Sequence, residues 1–357
     1  MSTERQVPGK PLVSLRLGLD SDEVCGKRLQ ANASNRFFYF PLLYCNNNCL
    51  HCLVTKKSKG NTLTVTHALD GIRKNRKRFS KVSIGGGEPT LWNGLVPLIR
   101  YCKGLRFRVQ LHSNCRRMSD KVFALHMVKT GIDGITVPLH AHTQALHDTI
   151  TRRKGSFSET IRGIENLQKC GFKNIHVMVV AHRLNYRILP KIAAFLYKKR
   201  VKTVSFEATV FTGNAVENFG LIAVKISRVA PYLEAAFELL SRRNVEVFSS
   251  SFPFCNIKRR YWRFLVNMRY SSVVVNLSKS RDNNSGYRYQ DCGTGLAKVC
   301  AVCKARLFCP GTWHTYYRFF GEEEFKPLKT LAMAYIVRSV SDAGIKNIFD
   351  TPPFKKA

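Results

Sequence analysis

Between residues 36 and 250 short apolar runs alternate with stretches of helical periodicity, and that alternation restricts the fold more than any other feature of the chain. The runs are FFYFPLL (37–43), KVSIGG (81–86), FRVQLH (107–112), GITVPLH (134–140), IHVMVV (175–180) and TVSFEA (203–208). They are short and rich in Val, Ile and Phe, as parallel strands covered by helices are. Between them, Ile188, Ile192, Phe195 and Leu196 fall at i, i+4, i+7 and i+8, and Leu233, Phe237 and Leu240 at i, i+4 and i+7. Each set makes one apolar helical stripe. Gly131 and Gly171 follow helical patterns, where a glycine favours termination. The alternation predicts repeated β-α units, in an α/β barrel or a doubly wound sheet, and periodicity leaves both open.

With 357 residues, 45% of them hydrophobic, the chain can build one large core or a core with a small appended unit. No run approaches the roughly 20 apolar residues of a membrane helix. The opening stretch, MSTERQVPGKPLVSLRLGLD, lacks the apolar centre of a secretory signal, so a cytoplasmic protein away from the membrane is expected. Grouped cysteines in a reducing compartment read as metal ligands or catalytic groups. Of twelve cysteines, three lie between 45 and 52 and four between 292 and 309. Cys25, Cys102, Cys115, Cys170 and Cys255 stand singly, which suits small buried hydrophobes.

The first group, CNNNCLHC (45–52), follows the first strand directly. In a β-α barrel the loops after strands form the active face. Three thiolates, from Cys45, Cys49 and Cys52, can hold three irons of a cubane and leave the fourth iron open, as catalysis requires. A zinc site would need His51 as fourth ligand, but its place between two cysteines crowds it out. The second run ends in GGGEPT (85–90). Glycines there allow close backbone approach and expose amides, and Glu88 adds an acceptor suited to an amino group.

Together these motifs resemble the radical S-adenosylmethionine superfamily over roughly 36–250. The matching residues are Cys45, Cys49 and Cys52, His51 in the slot before the last cysteine, and Gly86–Gly87–Glu88–Pro89. The resemblance implies a partial (β/α)6 TIM-like barrel with a 4Fe-4S cluster whose open iron binds S-adenosylmethionine. Reductive cleavage would give methionine and a 5′-deoxyadenosyl radical that abstracts hydrogen from a substrate. It also implies that Gly86, Gly87 and Glu88 meet the methionine amino group and that His51 packs near the adenine. In LHSNC (111–115), Ser113 and Asn114 look like cofactor-site residues, and Cys115 departs from the family glycine, either as a small-residue exchange or as a reactive thiol. Asn185 occupies a common position after the fifth strand.

The second group, Cys292, Cys300, Cys303 and Cys309, can close a four-thiolate site for zinc or a second 4Fe-4S cluster. CAVCKARLFCPGTW is similar to the C-terminal signature of SPASM or twitch-type auxiliary domains, which favours iron–sulfur. Cys255 sits where such domains draw a ligand just after the barrel, and competes with Cys292. The expected organisation is an N-terminal extension (1–35), the barrel (36–250), a small cysteine-rich auxiliary cluster domain (251–320) and a helical tail (321–357). The polar stretch 278–291 falls between barrel and cysteines.

A net charge of +35 calls for an acidic partner, peptide or nucleic acid. RKNRKR (73–78), KKR (198–200) and RR (242–243) follow helices and read as solvated helix ends. Lys56, Lys57, Lys59, Arg116, Arg117, Arg152, Arg153 and Lys154 follow strands, on the active face. Lys258, Arg259 and Arg260, with Tyr261, Trp262 and Phe264, read as a linker packed on the barrel. His140, His142 and His147 crowd one loop without an assigned catalytic role. The leading expectation is an enzyme that modifies a peptide or protein side chain, supplied with electrons by a flavodoxin- or ferredoxin-type donor. The alternatives are a radical enzyme acting on RNA or nucleotides, and a non-enzymatic nucleic-acid-binding protein stabilised by metal.

Overall fold

The computed structural model describes residues 36–53, 62–77, 79–266 and 294–330, together with the backbone of 273–274. The expected N-terminal extension, Lys56, Lys57, Lys59, Cys25, Cys292, the 278–291 stretch and residues 331–357 lie outside them.

The strands are β1 Arg36–Leu42, β2 Lys81–Gly86, β3 Arg108–His112, β4 Gly134–Pro138, β5 Ile175–Ala181, β6 Thr203–Ala208, β7 Glu246–Phe248 and β8 Val273–Val274. They form one sheet in the order β7-β6-β5-β4-β3-β2-β1-β8, with every pairing parallel. From β1 to β7 the spatial order follows the chain without reversal. A doubly wound sheet reverses its order part-way, so the sheet is wound in the barrel sense. All six expected strands form. β7 was not anticipated, because three residues are too few to display a pattern.

Helices α1 Val65–Asn75, α2 Leu95–Gly104, α3 Lys121–Lys129, α4 Gln144–Thr151, α5 Ser156–Lys169, α6 Leu189–Lys198, α7 Asn214–Glu217, α8 Phe219–Ile222 and α9 Ile226–Ser241 run between the strands. Gly131 and Gly171, just past α3 and α5, have φ of 82° and 78°, the left-handed ending expected of them. Asp120 caps α3 by accepting from the amides of Val122 and Phe123. Asp148 accepts from the amides of Gly155 and Phe157 and from the Ser156 hydroxyl, which ties α4 to the start of α5.

Alternation divides each strand between two surroundings. Val177 and Val179 on β5, and Val204 and Phe206 on β6, are fully buried in the core. Their neighbours His176, Met178 and Val180 on β5 are half-buried on the other face, which lines the barrel lumen.

Beyond the barrel, β9 Thr294–Gly295 pairs antiparallel with β10 Thr312–Trp313, and α10 His314–Phe320 follows. This unit is bonded to the barrel's end. The Trp313 indole donates to Ala208 O at 2.8 Å, the Phe211 amide to Thr315 Oγ1 at 3.1 Å and the Ile226 amide to the Tyr316 hydroxyl at 2.8 Å. Tyr261 and Trp262 are buried, and the Trp262 indole donates to the carbonyls of Phe254 and Ile257, so this basic-aromatic stretch packs on the barrel as expected. No helix among the described residues is long and apolar enough to cross a membrane.

Candidate functional site

The loop after β1 carries Cys45, Cys49 and Cys52, and four other β-α connections grip it. From the β2 end, the amides of Gly87 and Glu88 donate to Leu42 O and Tyr44 O at 2.7 and 2.8 Å. The fit is close: a Cβ on Gly86 would stand 2.3 Å from Leu42 O, and one on Gly87 2.0 Å from Tyr44 O. Gly86 also has φ of 112°. The glycines are therefore required by the neighbouring loop itself, besides any ligand.

From the β3 end, Asn114 Nδ2 donates to Asn46 Oδ1 at 2.7 Å and points to Cys45 Sγ at 3.9 Å. Arg116 reaches Asn46 O and Asn47 Oδ1, both at 2.8 Å, while its Nε donates to Glu159 at 2.5 Å. From α4, Thr151 O and Ile150 O accept from the amides of Asn48 and Leu50, each at 2.9 Å. From α7, Asn214 Nδ2 donates to Asn48 Oδ1 and Cys49 O at 3.1 Å, and Asn218 Nδ2 donates to Leu50 O.

Glu88 is buried with both carboxylate oxygens engaged. Oε1 accepts from the Thr90 amide (3.1 Å), the Thr90 hydroxyl (2.6 Å) and Ser113 Oγ (2.7 Å), and Oε2 from the Asn114 amide (2.7 Å). Burial raises its pKa, opposed by these bonds. Glu88, Ser113 and Asn114 thus form one brace that joins β2 to β3 beneath the cysteine loop. Arg116, expected to face an acidic substrate, is buried and spent on the loop and Glu159. A guanidinium needs that many acceptors when it leaves water. Cys115 is buried at φ of 64°, a conformation that suits the glycine it replaces. Burial pushes its thiol well up, which leaves the small-residue reading and not the reactive one.

The thiols of Cys45, Cys49 and Cys52 are electrostatic neighbours. Burial first, then Cys52 and Cys45, raise the Cys49 pKa well above an ordinary thiol. As thiolates the three would repel one another, and a cation that joins them removes that cost, so the donor set fits a metal cluster. Among the described residues no three His, Cys, Asp or Glu side chains close on a single ion.

Beside the loop lies a histidine group in which the sequence suggested a role for His51 alone. The His51 ring meets that of His140 at 4.1 Å and that of His182 at 5.4 Å, and His140 stacks with His147 at 5.9 Å. All four are buried, and burial lowers their pKa values, to about 4 for His51 and His147. His51 Nδ1, His140 Nδ1 and His182 Nε2 have no hydrogen-bond partner among the described residues. Asn185 Nδ2 donates to His140 O and Val180 O, binding the loops after β4 and β5 together. The spacing of His140 and His182 after successive strands was the available signal.

The second group gathers at the barrel's end. Burial pushes the Cys255 thiol up to about 11, with Cys300 and Cys303 adding to the rise. Burial also raises Tyr317, with Cys300, Cys309 and Cys255 contributing in that order. Backbone amides address the sulfurs: Phe254 N donates to Cys309 Sγ at 3.4 Å, Leu328 N to Cys303 Sγ at 3.3 Å and Lys326 N to Cys255. Cys255 therefore stands with Cys300, Cys303 and Cys309.

A parallel partial barrel with three thiols and a glycine turn at one mouth defines a class of cofactor-dependent barrels. Residues 39–196 match the model of the Radical SAM superfamily. The mycofactocin maturase of Mycolicibacterium smegmatis is 31% identical over 152 residues, 42% of this chain and 38% of that protein. A probable GTP 3′,8-cyclase of Saccharolobus islandicus is 29% identical over 144 residues, 40% of this chain and 46% of that protein. This chain spans less than half the length of these curated relatives. In fold it is similar to Streptococcus suis SuiB bound to precursor peptide SuiA, with a TM-score of 0.60 at 12% identity, covering 89% of this chain and 83% of that one. It is also similar to anSMEcpe with bound AdoMet and a peptide, with a TM-score of 0.59 at 12% identity, covering 88% and 98%.

Proposed function

We propose that this protein is a radical S-adenosylmethionine enzyme that modifies a peptide or protein side chain. The observation that carries the reading is the three-thiol loop gripped by the glycine turn of β2, in a barrel that matches that superfamily's model. Cys45, Cys49 and Cys52 would hold a 4Fe-4S cluster. When bound, that cluster with S-adenosylmethionine supplies reductive cleavage of the sulfonium and the radical that takes hydrogen from substrate. The chain's own part is to hold these groups in place. Gly86 and Gly87 present backbone at the loop, while the Glu88–Ser113–Asn114 brace fixes the turn's height against it. The unpartnered nitrogens of His51, His140 and His182 offer hydrogen bonds to the cofactor's nucleoside.

Cys255, Cys300, Cys303 and Cys309 would hold a second 4Fe-4S cluster, with the amides of Phe254, Leu328 and Lys326 stabilising its sulfurs. The peptide reading draws support from the two peptide-bound structures of the same fold, SuiB and anSMEcpe. The charge favours an acidic substrate, and reduction would come from a flavodoxin- or ferredoxin-type donor in the cytoplasm.

Anaerobic reconstitution tests this directly. The protein should bind about eight irons and, with dithionite and S-adenosylmethionine, release 5′-deoxyadenosine. Cys45→Ala, Cys49→Ala or Cys52→Ala should abolish that release. Cleavage persisting in any of the three would overturn the assignment, and about four irons together with bound zinc would overturn the second cluster.

A further inference from the structure

The inner face of the barrel carries a buried carboxylic acid that the cofactor site does not use. Glu207 stands near the end of β6, buried, and alternates with the core residues Phe206 and Ala208. Its Oε2 accepts from the Ser250 amide at 3.2 Å, from Ser250 Oγ at 2.9 Å and from Ser251 Oγ at 2.9 Å. Its carboxyl also bonds to Ser205, on the same face of β6.

From Ser205 a line of hydrogen bonds crosses the lumen. His176 Nε2 on β5 lies 2.9 Å from Ser205 Oγ, and His176 Nδ1 lies 3.2 Å from Thr136 Oγ1 on β4. Gln110 Nε2 on β3 donates to Thr136 Oγ1 at 2.9 Å. The amide nitrogen can only donate, and a carboxylate can only accept. The arrangement that satisfies both ends runs one way. Gln110 donates to Thr136, the Thr136 hydroxyl to His176 Nδ1, His176 Nε2–H to Ser205, and the Ser205 hydroxyl to Glu207. Four strands thus aim their donors at one carboxylate.

We propose that Glu207 is the proton-accepting group of the barrel lumen, with Ser205, His176, Thr136 and Gln110 as positioning residues that hold its carboxylate ready. In the step it serves, an X–H bond of the substrate breaks and an O–H bond forms on Glu207. The bonding pair stays on the substrate, so the transfer needs no oxidant or reductant of its own. Its place suits that role: the carbonyl of the next residue, Ala208, accepts from the Trp313 indole and its amide donates to Ser251 Oγ at 2.7 Å, so Glu207 lies between the barrel lumen and the segment that leads to Cys255. Burial pushes its pKa up to about 7, against the pull of the serine bonds, so it changes charge near neutrality. The titratable groups on the lumen face around it are His176 and His112, with Glu246 at the start of β7. His176 is held neutral by burial, to about 3, and therefore works as a relay and not as a second base.

This inference deepens the radical-enzyme reading and rests on it for the substrate, whereas its test does not. In the full-length protein labelled with carboxyl-13C glutamate, the resonance missing from Glu207→Gln should titrate with a midpoint near 7. Ser205→Ala removes a donor to the charged form and should raise that midpoint by about one pH unit. Ser205→Thr, which keeps the hydroxyl, should restore it. A midpoint in the ordinary carboxylate range near 4, or one unmoved by Ser205→Ala, would overturn the proposal. Loss of 5′-deoxyadenosine release in the cysteine variants is read separately, so the two claims fail independently.

Discussion

Gly163 shows how little room the site leaves. It lies on α5 under the Asn114–Arg116 turn, where an added Cβ would stand 2.2 Å from Cys115 O and 2.9 Å from its sulfur. Neither the backbone oxygen nor the strained Cys115 can move without pulling on the brace. Gly163→Ala should therefore cost about 2–3 kcal/mol by overpacking, measured by denaturant unfolding. It should also lower iron loading through displacement of Asn114. Stability equal to wild type would mean that α5 can shift, and that the turn is not pinned. Arg116 works at the same scale through charge. Arg116→Ala leaves Asn46 O, Asn47 and the partly exposed Glu159 without their donor, so about 2–3 kcal/mol should be lost. Arg116→Lys, a point charge without the planar fork, should recover only part of it. Full recovery by lysine would show that charge alone holds the loop.

The strands and helices carry a pH dependence set by their histidines. His147 on α4 has its pKa lowered to about 4 and His176 on β5 to about 3, both by burial foremost. The folded protein keeps these rings neutral, whereas the unfolded chain protonates them near 6.5. The contribution of these two rings is then full above pH 6.5 and is lost as pH falls below it, down to the folded values, while that of Glu207, raised to about 7, is lost in the opposite sense as pH rises. Between pH 7 and 5 each ring should cost roughly 2 kcal/mol, read from urea midpoints at the two pH values. His176→Phe should flatten its share of that slope, and an unchanged slope would remove His176 from the account. What the sequence disclosed follows from the same elements. All six expected strands were legible because each sets large apolar residues at alternate positions, as in Val82 and Ile84 or Val204 and Phe206, and the cysteine loop was legible because its spacing is local. The brace of Glu88, Ser113 and Asn114, the burial of Arg116 and the lumen line to Glu207 were not, since each joins residues from different β-α units that only the parallel register brings together. The one hint of Glu207 was a lone acid in TVSFEA, an otherwise strand-like run.

At the scale of the whole molecule, a charge of +35 must be tolerated somewhere, and part of it is concentrated beside the cysteine loop. Arg152, after α4, donates to Asn218 Oδ1 at 2.5 Å, and Arg183, after β5, donates to Gly220 O at 3.1 Å. Two guanidiniums from different β-α units thus converge on the α7–α8 turn, both exposed and neither with an acidic partner among the described residues. Arg153 and Lys154 lie alongside, and Val216 and Leu221 are exposed on the same short helices. Cations mixed with apolar side chains match an acidic peptide better than a bare phosphate backbone. Because Asn218 also holds Leu50 O of the cysteine loop, a peptide seated there would lie next to the three thiols. A fluorescein-labelled peptide of alternating Glu and Leu should bind the wild-type protein, and Arg152→Glu with Arg183→Glu should weaken it by about tenfold or more. The loss should shrink as salt rises, since exposed charges are screened within about 10 Å at 0.1 M ionic strength. Release of 5′-deoxyadenosine should persist in Arg183→Glu alone, because Arg183 bonds to Gly220 O and not to the residues that hold the loop. A single-stranded RNA that bound more tightly than the peptide, with a steep salt slope abolished by the same two changes, would assign this surface to nucleic acid instead.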